Sequence, residues 1–586
     1  MLNQIWLVIQ THGHWACQAP CGLYGVRTVD RLKLPDLIAA GEVALRAGEW
    51  TAAREQFQQA TELGESAPAL EGLSTASWWL NQVDAAIGYR QRAFSLHKHE
   101  ARLGPAGFCA VWIAAQYFAV YDNMAAAEGW LAVGQKLLVE AGPCPELARL
   151  MVMQTAMSSD WRATIESCRQ AREMARALGD RDCEVLADSY IGLARVTGGE
   201  VRQGLGELDA AMAMCTAGEV TELWIVGLIY CAMLAACERA ADFSRADQWC
   251  SVGGFVDRYR ESVFSAACRA CYGTIQAARG HWDAAEQELL GALRTFEEGP
   301  RGQRIDALSR LAMLRLQQGR PGEAARLLEG FEDHPDATLA MAGLRLGEGH
   351  PRQAAALLER RLVSLGEPNM QAAPLLAMLV DAQLAAGETA KAREAAGRLE
   401  ALASRSAGRY LPGVAALAAG LVTAADGGDP LPELERALDH LTQAELPLEA
   451  AVSRLAIARA LEAQDPELAT SEARRAVITF ERLGAVPQAG AASALLQRLG
   501  GPRRTGPKGR TPLSRREGQV LELLALGLSN DELAARLFIS RRTAEHHVSS
   551  ILAKLELKSR AETTAYALRH PRGPRELKAK PPSSWG

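Results

Sequence analysis

The chain has 586 residues, of which 48% are hydrophobic and 23% charged, with a formal net charge of −5. Such a length exceeds what one hydrophobic core normally organises, and the composition is typical of an ordinary soluble protein. No apolar run approaches the roughly 20 residues of a membrane span, and the N-terminus lacks the basic start of a signal peptide. We therefore expect several modules or a repeat array, located in the cytoplasm without membrane contact.

The charge is distributed unevenly along the chain. From Arg503 to Gly586 there are 17 Lys and Arg residues against 8 Asp and Glu, a balance of +9, whereas residues 1–502 carry −14. A basic tail on an acidic body indicates a small nucleic-acid-binding module attached to a larger part with another role.

Residues 1–33 show no helical period, and we expect this segment to be poorly ordered. The spacing of His12, His14, Cys17 and Cys21 fits no zinc pattern, so a metal site is not favoured there. The 12 cysteines of the chain lie scattered in apolar stretches, which predicts reduced, buried thiols. We expect neither a metal nor a cofactor.

A weak repeat with intervals of 30 to 42 residues runs through residues 34–499. Its clearest mark is a glycine, four residues and an alanine, beginning at Gly48, Gly280, Gly319, Gly349 and Gly387. Amphipathic stretches flank each mark, which predicts helical hairpins whose first helix is closed by a left-handed residue. Weaker copies of the mark occur at Asn81, Gly199 and Ala241, and aromatic residues are expected to wedge the joints at Trp50, Trp161, Phe243 and Trp282.

A single hairpin cannot bury its apolar face, so about ten to twelve units are expected to stack into a superhelical α-solenoid. The marks resemble the turn of tetratricopeptide-type repeats, although the full consensus is absent. Such a stack offers a concave surface on which an unknown ligand or protein would bind. Cys268 and Cys271 form a C-x-x-C pair in this region, but no second pair follows at zinc-ribbon spacing. We therefore favour core packing over a redox or metal role for these two thiols.

A basic Gly/Pro linker at residues 500–511 leads to a second module at residues 512–570, and the tail, residues 571–586, is expected to be disordered. Capping boxes predict three helix starts in this module, and Ser540 would cap a further helix. The boxes pair Ser514 with Glu517, Ser529 with Glu532, and Ser559 with Glu562. Gly527 would end the first helix, and only residues 538–540 separate the second from the third. That short connection predicts a helix-turn-helix at about residues 530–549.

The third helix of this module is predicted to have two faces. One is an apolar stripe that would face a small core: Ala544, Val548, Ile551, Leu552 and Leu555. The other carries hydrogen-bonding side chains near the N-terminus of the helix: Arg542, Glu545, His546 and Ser549. A helix so equipped meets base edges in the major groove of duplex DNA.

This segment resembles the DNA-binding domain of the LuxR-type family of bacterial regulators, over about 60 of 586 residues without gaps. The matching residues are Leu513, Arg516, Glu517, Val520, Leu524, Ala525, Gly527, Ser529, Asn530, Glu532, Ala534, Leu537, Ile539, Ser540, Thr543, His547, Ile551, Lys554, Leu555 and Arg560. The resemblance implies base contacts by Glu545, His546 and Ser549. It also implies phosphate contacts by Arg541, Arg542, Thr543 and Lys554, and dimerisation through a fourth helix carrying Ala561, Ala565 and Leu568.

Two residues depart from the family pattern. Ala544 replaces the usual valine, which is expected to loosen the core slightly, and Glu545 stands where many members carry lysine. The Glu545 carboxylate would either accept from a cytosine amino group or pair with Arg541 or Arg542. His547 borders the apolar stripe, where a structural hydrogen bond or a phosphate contact is expected rather than base reading.

The fold predicted is therefore all-α: a solenoid of stacked hairpins followed by a four-helix helix-turn-helix domain. We interpret the chain as a sequence-specific bacterial transcription regulator that binds double-stranded DNA as a homodimer and senses a ligand or protein through the solenoid. The alternative is a protein-interaction scaffold whose helix-turn-helix is vestigial or serves dimerisation. No G-x-x-x-x-G-K-[ST] motif occurs, so neither the ATPase module of large family members nor another enzyme activity is expected.

Overall fold

The computed structural model describes residues 28–121, 123–155, 160–253, 265–298, 304–366, 368–406, 408–500, 515–537 and 541–554, and a few positions from 559 to 566. These residues form an all-α chain that divides into two compact units, residues 1–501 and 502–586. The division falls inside the predicted linker. Residues 1–27, the linker after Gly500 and the tail lie outside the described residues, so the expectations for them stay predictions.

Consecutive helices build the first unit. Its first half comprises α1 (Thr28–Ala47), α2 (Trp50–Leu63), α3 (Ala67–Trp79), α4 (Val83–His99), α5 (Leu103–Tyr121), α6 (Met124–Ala141), α7 (Pro145–Thr155), α8 (Trp161–Leu178), α9 (Arg181–Thr197), α10 (Val201–Thr216), α11 (Leu223–Ala240) and α12 (Phe243–Gly253). Its second half comprises α13 (Ser265–Ala278), α14 (Trp282–Glu298), α15 (Arg304–Gln317), α16 (Pro321–Leu328), α17 (Thr338–Gly347), α18 (Pro351–Leu365), α19 (Ala372–Ala385), α20 (Thr389–Ala403), α21 (Tyr410–Ala425), α22 (Leu431–Gln443), α23 (Pro447–Ala460), α24 (Pro466–Leu483) and α25 (Val486–Arg498).

The hairpin repeat predicted from the Gly…Ala marks is confirmed. Helices pack mainly against their neighbours in sequence, and many also contact the next helix but one, as in a stack of hairpins. All five marked glycines have positive φ angles, between 76° and 84°. Two of the weaker marks, Asn81 and Ala241, adopt the same left-handed conformation with φ of 59° and 51°. The repeat therefore has a backbone cause at these marks, namely a left-handed residue that closes the first helix of the hairpin.

Helix α1 begins earlier than expected. It starts at Thr28, so its first six residues belong to the segment for which the sequence showed no helical period. Pro35 lies inside this helix. Because proline lacks a backbone N–H donor, its presence in a sequence argues against a continuous helix at that point.

Two of the aromatic residues at the joints, Trp50 and Trp161, pack as wedges between successive hairpins. Trp50, the first residue of α2, stacks on Trp79, the last residue of α3, with ring centroids 4.2 Å apart. Trp161 occupies the equivalent place at the start of α8, where its ring fills the space that a Cβ on Gly198 would need. Each wedge thus joins the second helix of one hairpin to the end of the first helix of the next.

The first unit also folds back on itself, so that turns distant in sequence touch. The Met370 amide donates to the Thr197 carbonyl at 2.8 Å, the Phe243 and Tyr410 rings lie 5.9 Å apart, Arg279 pairs with Glu445 at 3.0 Å, and Gly280 approaches Pro447. Arg279 and Glu445 are 166 residues apart, and the other pairs have closely similar separations. We call this set of contacts the seam. The seam brings one turn of the superhelix against the next, which the repeat pattern did not predict.

The seam leads to a prediction about two glycines that occupy the same position in the repeat, Gly280 and Gly349. A Cβ on Gly280 would lie 2.7 Å from Leu483 and 2.8 Å from Pro447, whereas a Cβ on Gly349 would meet nothing within 4 Å. Both residues are left-handed, so alanine introduces the same backbone strain at each of them. We expect Gly280→Ala to lower the free energy of unfolding by about 1–3 kcal/mol more than Gly349→Ala, because of overlap at the seam. Urea unfolding followed by circular dichroism measures both variants, and equal losses would contradict the seam.

A buried ion network joins three successive first helices of the stack. Arg149 on α7 donates to Asp180, the N-cap of α9, at 2.8 Å and to Glu222, which precedes α11, at 2.7 Å. The side chains of Arg149, Asp180 and Glu222 are only 5%, 9% and 11% exposed. Burial opposes the charge of Arg149, but the two carboxylates outweigh it and raise the pKa of the guanidinium.

Helix α11 is longer and more apolar than the sequence analysis allowed for. Among the helices in the described part of the chain, it is the one that is long and apolar enough to cross a membrane, by length and composition only. Within the first unit, however, 78% of its 18-residue apolar window is buried. Its hydrophobicity is thus accounted for by a position in the core of the stack.

Candidate nucleic-acid interface

The second unit places three described helices around a small core. They are α26 (Arg515–Ala525), α27 (Asn530–Leu537) and α28 (Arg541–Lys554). The buried residues are Val520, Leu524, Leu533, Ala534, Ala544, Val548 and Ile551. Helices α27 and α28 coincide with the predicted second and third helices, and residues 538–540, which connect them, lie outside the described residues.

The caps that lie within the described residues of this unit follow the predicted pattern, while Ser514 and Ser540 lie outside those residues. The Ser529 amide donates to the Glu532 carboxylate at 2.7 Å, and the Glu532 amide donates to the Ser529 hydroxyl at 3.3 Å, so this capping box is complete. The bond from the Ser529 amide lowers the pKa of Glu532. Gly527 closes α26 with a φ of 79°. The Glu562 amide donates to the Ser559 hydroxyl at 3.2 Å, which supplies one half of the last predicted box.

Glu517 makes a contact that the sequence analysis did not predict. Its predicted capping partner, Ser514, lies outside the described residues, so that capping box stays a prediction. The Glu517 carboxylate is buried, with only 4% of the residue exposed, and accepts a 2.6 Å hydrogen bond from the Ser550 hydroxyl. This bond ties α26 to the middle of α28. Glu517 shares its helix face with Val520 and Leu524, and this spacing is the sequence signal that would have placed it in the core.

Charged side chains pair at the first turn of α28, both within this helix and with α27. Arg541 donates from Nε to Glu545 at 3.0 Å, and its Nη1 lies 3.3 Å from the Asp531 carboxylate on α27. The pKa of Arg541 is raised, chiefly by its hydrogen bond to Glu545 and also by the negative charges of Asp531 and Glu545. Of the two roles left open for Glu545, pairing with Arg541 is the one present in this structure. The part played by Asp531 was missed, because the contact spans two helices.

The two-faced character predicted for α28 is confirmed at its described side chains. Glu545 and Ser549 are exposed, while Ala544, Val548 and Ile551 are buried. The Ser549 hydroxyl donates to the Glu545 carbonyl at 3.0 Å, and His547 is half-buried at the border of the apolar stripe. The side chains of Arg542, Thr543, His546 and Lys554 lie outside the described residues, as do Ala561, Ala565 and Leu568. The contacts assigned to these residues therefore stay predictions.

Known proteins resemble this C-terminal part of the chain. Residues 511–567 match the family model described as bacterial regulatory proteins, luxR family. The uncharacterized transcriptional regulatory protein YhcZ of Bacillus subtilis (strain 168) is 48% identical over 58 residues, which are 10% of this chain and 27% of the relative. The oxygen regulatory protein NreC of Staphylococcus carnosus (strain TM300) is 47% identical over 57 residues, 10% of this chain and 26% of the relative. The chain thus spans about a quarter of the length of these relatives.

Two solved structures superpose loosely on most of the chain. One is a chain of the APC/C hetero-tetramer Cut9-Hcn1. It superposes with a TM-score of 0.31 at 15% sequence identity and covers 80% of this chain and 96% of that chain. Yeast Tom70 gives a TM-score of 0.26 at 11% identity, over 80% and 97% of the two chains. The description of the first unit as stacked hairpins rests on its own helices.

Proposed function

Since the chain carries a helix-turn-helix domain of the luxR family at its C-terminus, we propose that it is a bacterial transcription regulator that binds specific sites on double-stranded DNA in the cytoplasm. The observation that carries this proposal is α28, whose apolar face is buried while Arg541, Glu545 and Ser549 stay exposed near its N-terminus. The balance of +9 in residues 503–586 supplies the attraction to phosphates that any DNA-binding module needs.

Binding to DNA would exchange partners at the first turn of α28. A phosphate takes the place of Glu545 and Asp531 on Arg541, and Arg542, Thr543 and Lys554 bind further phosphates. The Glu545 carboxylate is then free to accept from a cytosine amino group, beside base contacts of His546 and Ser549. The pairing of Arg541 with Glu545 in the absence of DNA is therefore compatible with both proposed contacts, that of Arg541 with a phosphate and that of Glu545 with a cytosine.

The solenoid is proposed to bind the signal, a ligand or a protein, and the fourth helix with Ala561, Ala565 and Leu568 to pair two copies on DNA. A two-fold-related pair of half-sites follows from such a dimer. An interaction scaffold with a vestigial helix-turn-helix remains the alternative. The basic balance of the C-terminal segment favours DNA binding, since a dimerisation module alone has no need of it.

Selection from a random-sequence duplex library with the full chain tests this proposal. We expect enrichment of a two-fold-related consensus, with an affinity that falls steeply as salt rises. A library that stays random after repeated rounds, or binding that does not respond to salt, would support the scaffold instead.

The role of Glu545 leads to a separate prediction for Glu545→Gln. The substitution releases Arg541 and removes a negative charge near the phosphates, so affinity for unrelated duplex should rise about 3- to 10-fold. Discrimination at one cytosine should fall at the same time, by about 1–3 kcal/mol. Fluorescence anisotropy on the selected site and on unrelated duplex measures both, with Glu329→Gln in the first unit as a charge-matched control. An unchanged ratio of the two affinities would remove Glu545 from base reading.

A further inference from the structure

Two thiols from different hairpins meet in the first unit. Cys231 on α11 and Cys268 on α13 place their sulfur atoms 2.6 Å apart, although they are 37 residues apart in sequence. A disulfide bond is about 2.05 Å long, so oxidation of the two thiols to a disulfide would need only a small further approach of the sulfur atoms. Cys268 and Cys271 form a C-x-x-C motif for which the sequence favoured core packing, whereas in the structure the Cys268 sulfur lies against that of a cysteine on another helix.

The two thiols differ in their access to solvent. Cys231 is half-buried, while only 1% of Cys268 is exposed. Its contact with Cys231, together with burial, raises the pKa of the Cys268 thiol, which therefore stays protonated. An oxidant arriving from solvent reaches Cys231 first, and Cys268 is placed to react next.

We propose that Cys231 and Cys268 form a redox pair that a peroxide converts into a disulfide linking α11 to α13. The Cys231 sulfur attacks one oxygen of hydrogen peroxide, the O–O bond breaks, and one water leaves as the Cys231 sulfenic acid forms. The Cys268 sulfur then attacks the Cys231 sulfur, the S–O bond breaks, and a second water leaves with the Cys268 proton. The two thiols together lose two electrons, which one hydrogen peroxide gains.

Two other thiols nearby serve as controls. Cys271 lies one helical turn beyond Cys268 on α13 and is buried. Cys237 lies on α11 with Cys231, and its sulfur contacts the Met233 sulfur at 3.6 Å. Neither is in the position that Cys231 and Cys268 share, so their replacement by serine should leave the disulfide intact.

The experiment uses the full chain, reduced, freed of reductant and exposed to hydrogen peroxide, then alkylated under denaturing conditions and digested for mass spectrometry. Trypsin cleaves after Arg269 and so separates Cys268 from Cys271, and chymotrypsin cleaves after Leu234 and so separates Cys231 from Cys237. We expect one linked pair of peptides, Cys231 to Cys268. Cys231→Ser and Cys268→Ser should each abolish it, and Cys237→Ser and Cys271→Ser should each retain it.

A thermal melt supplies a second measurement that does not depend on digestion. The oxidised chain should melt at least about 2 °C above the reduced chain, since a cross-link restricts the unfolded state, and Cys231→Ser should show no such difference. The proposal is overturned if Cys268 is linked to another cysteine. It is also overturned if a sulfenic-acid probe labels Cys231 while no disulfide follows. Both measurements concern the first unit and do not depend on DNA binding.

Discussion

Replacing Arg541 and Arg542 together with alanine should weaken the binding of the full chain to its selected DNA site by about 10- to 100-fold. The slope of log affinity against log salt should become shallower by about 2, because two phosphate contacts and their released counterions are lost. Arg541 is exposed at the first turn of α28, and its two acidic partners are exposed as well, so its replacement leaves no buried charge unpaired. Titrations at several salt concentrations measure both quantities.

The control for this variant changes the net charge by the same amount elsewhere. Arg352 and Arg393 in the first unit are 80% and 60% exposed at their side chains, and their joint replacement by alanine should leave DNA affinity nearly unchanged. Equal losses in the two double variants would mean that overall charge, and not the first turn of α28, accounts for binding. A thermal melt of each variant verifies that the second unit stays folded.

The largest expected effect on stability belongs to Arg149→Met. The substitution removes the arginine cation from the two buried carboxylates of Asp180 and Glu222, which should destabilise the first unit by about 3–5 kcal/mol. Arg172→Met is the matched control, since Arg172 pairs with Asp188 at 2.8 Å but the two side chains are 30% and 39% exposed. An exposed pair of this kind contributes at most about 1 kcal/mol. Urea unfolding at pH 8 compares the two variants.

The defect of Arg149→Met should also depend on pH. Burial already raises the pKa of Glu222 to about 7 in the presence of Arg149. Without the arginine, which lowers this pKa, the folded-state pKa of Glu222 lies further above its unfolded value, so protonation of Glu222 favours folding. Stability is therefore retained at low pH and lost as pH rises through the folded-state pKa of Glu222. The difference from the unsubstituted chain should shrink between pH 8 and pH 5, and a constant difference would exclude the network as the cause.

The sequence predicted the parts of this protein that have a local cause. Each of these features is determined by residues that lie close together in the sequence: a left-handed glycine, a capping box such as Ser529 with Glu532, and the two faces of α28. The Arg149 network, the Cys231–Cys268 contact and the Arg541–Asp531 pair are not, because each joins residues on different helices. The charges and thiols are visible in the sequence, but their partners depend on how the hairpins stack. Glu517 lies between these cases, since its spacing marks the core face while its bond to Ser550 depends on packing.

The seam has a consequence for how the chain folds. In a solenoid whose units touch only their neighbours, order can spread from any unit to the next. By contrast, the turn at Gly280 can contact Pro447 only after Pro447 and the helices between these two residues have folded. Closing so long a loop carries an entropic cost, and contacts of high sequence separation slow folding. During synthesis the hairpin that contains Gly280 would therefore form early, and its side of the seam would stay exposed until the hairpin that contains Pro447 has left the ribosome.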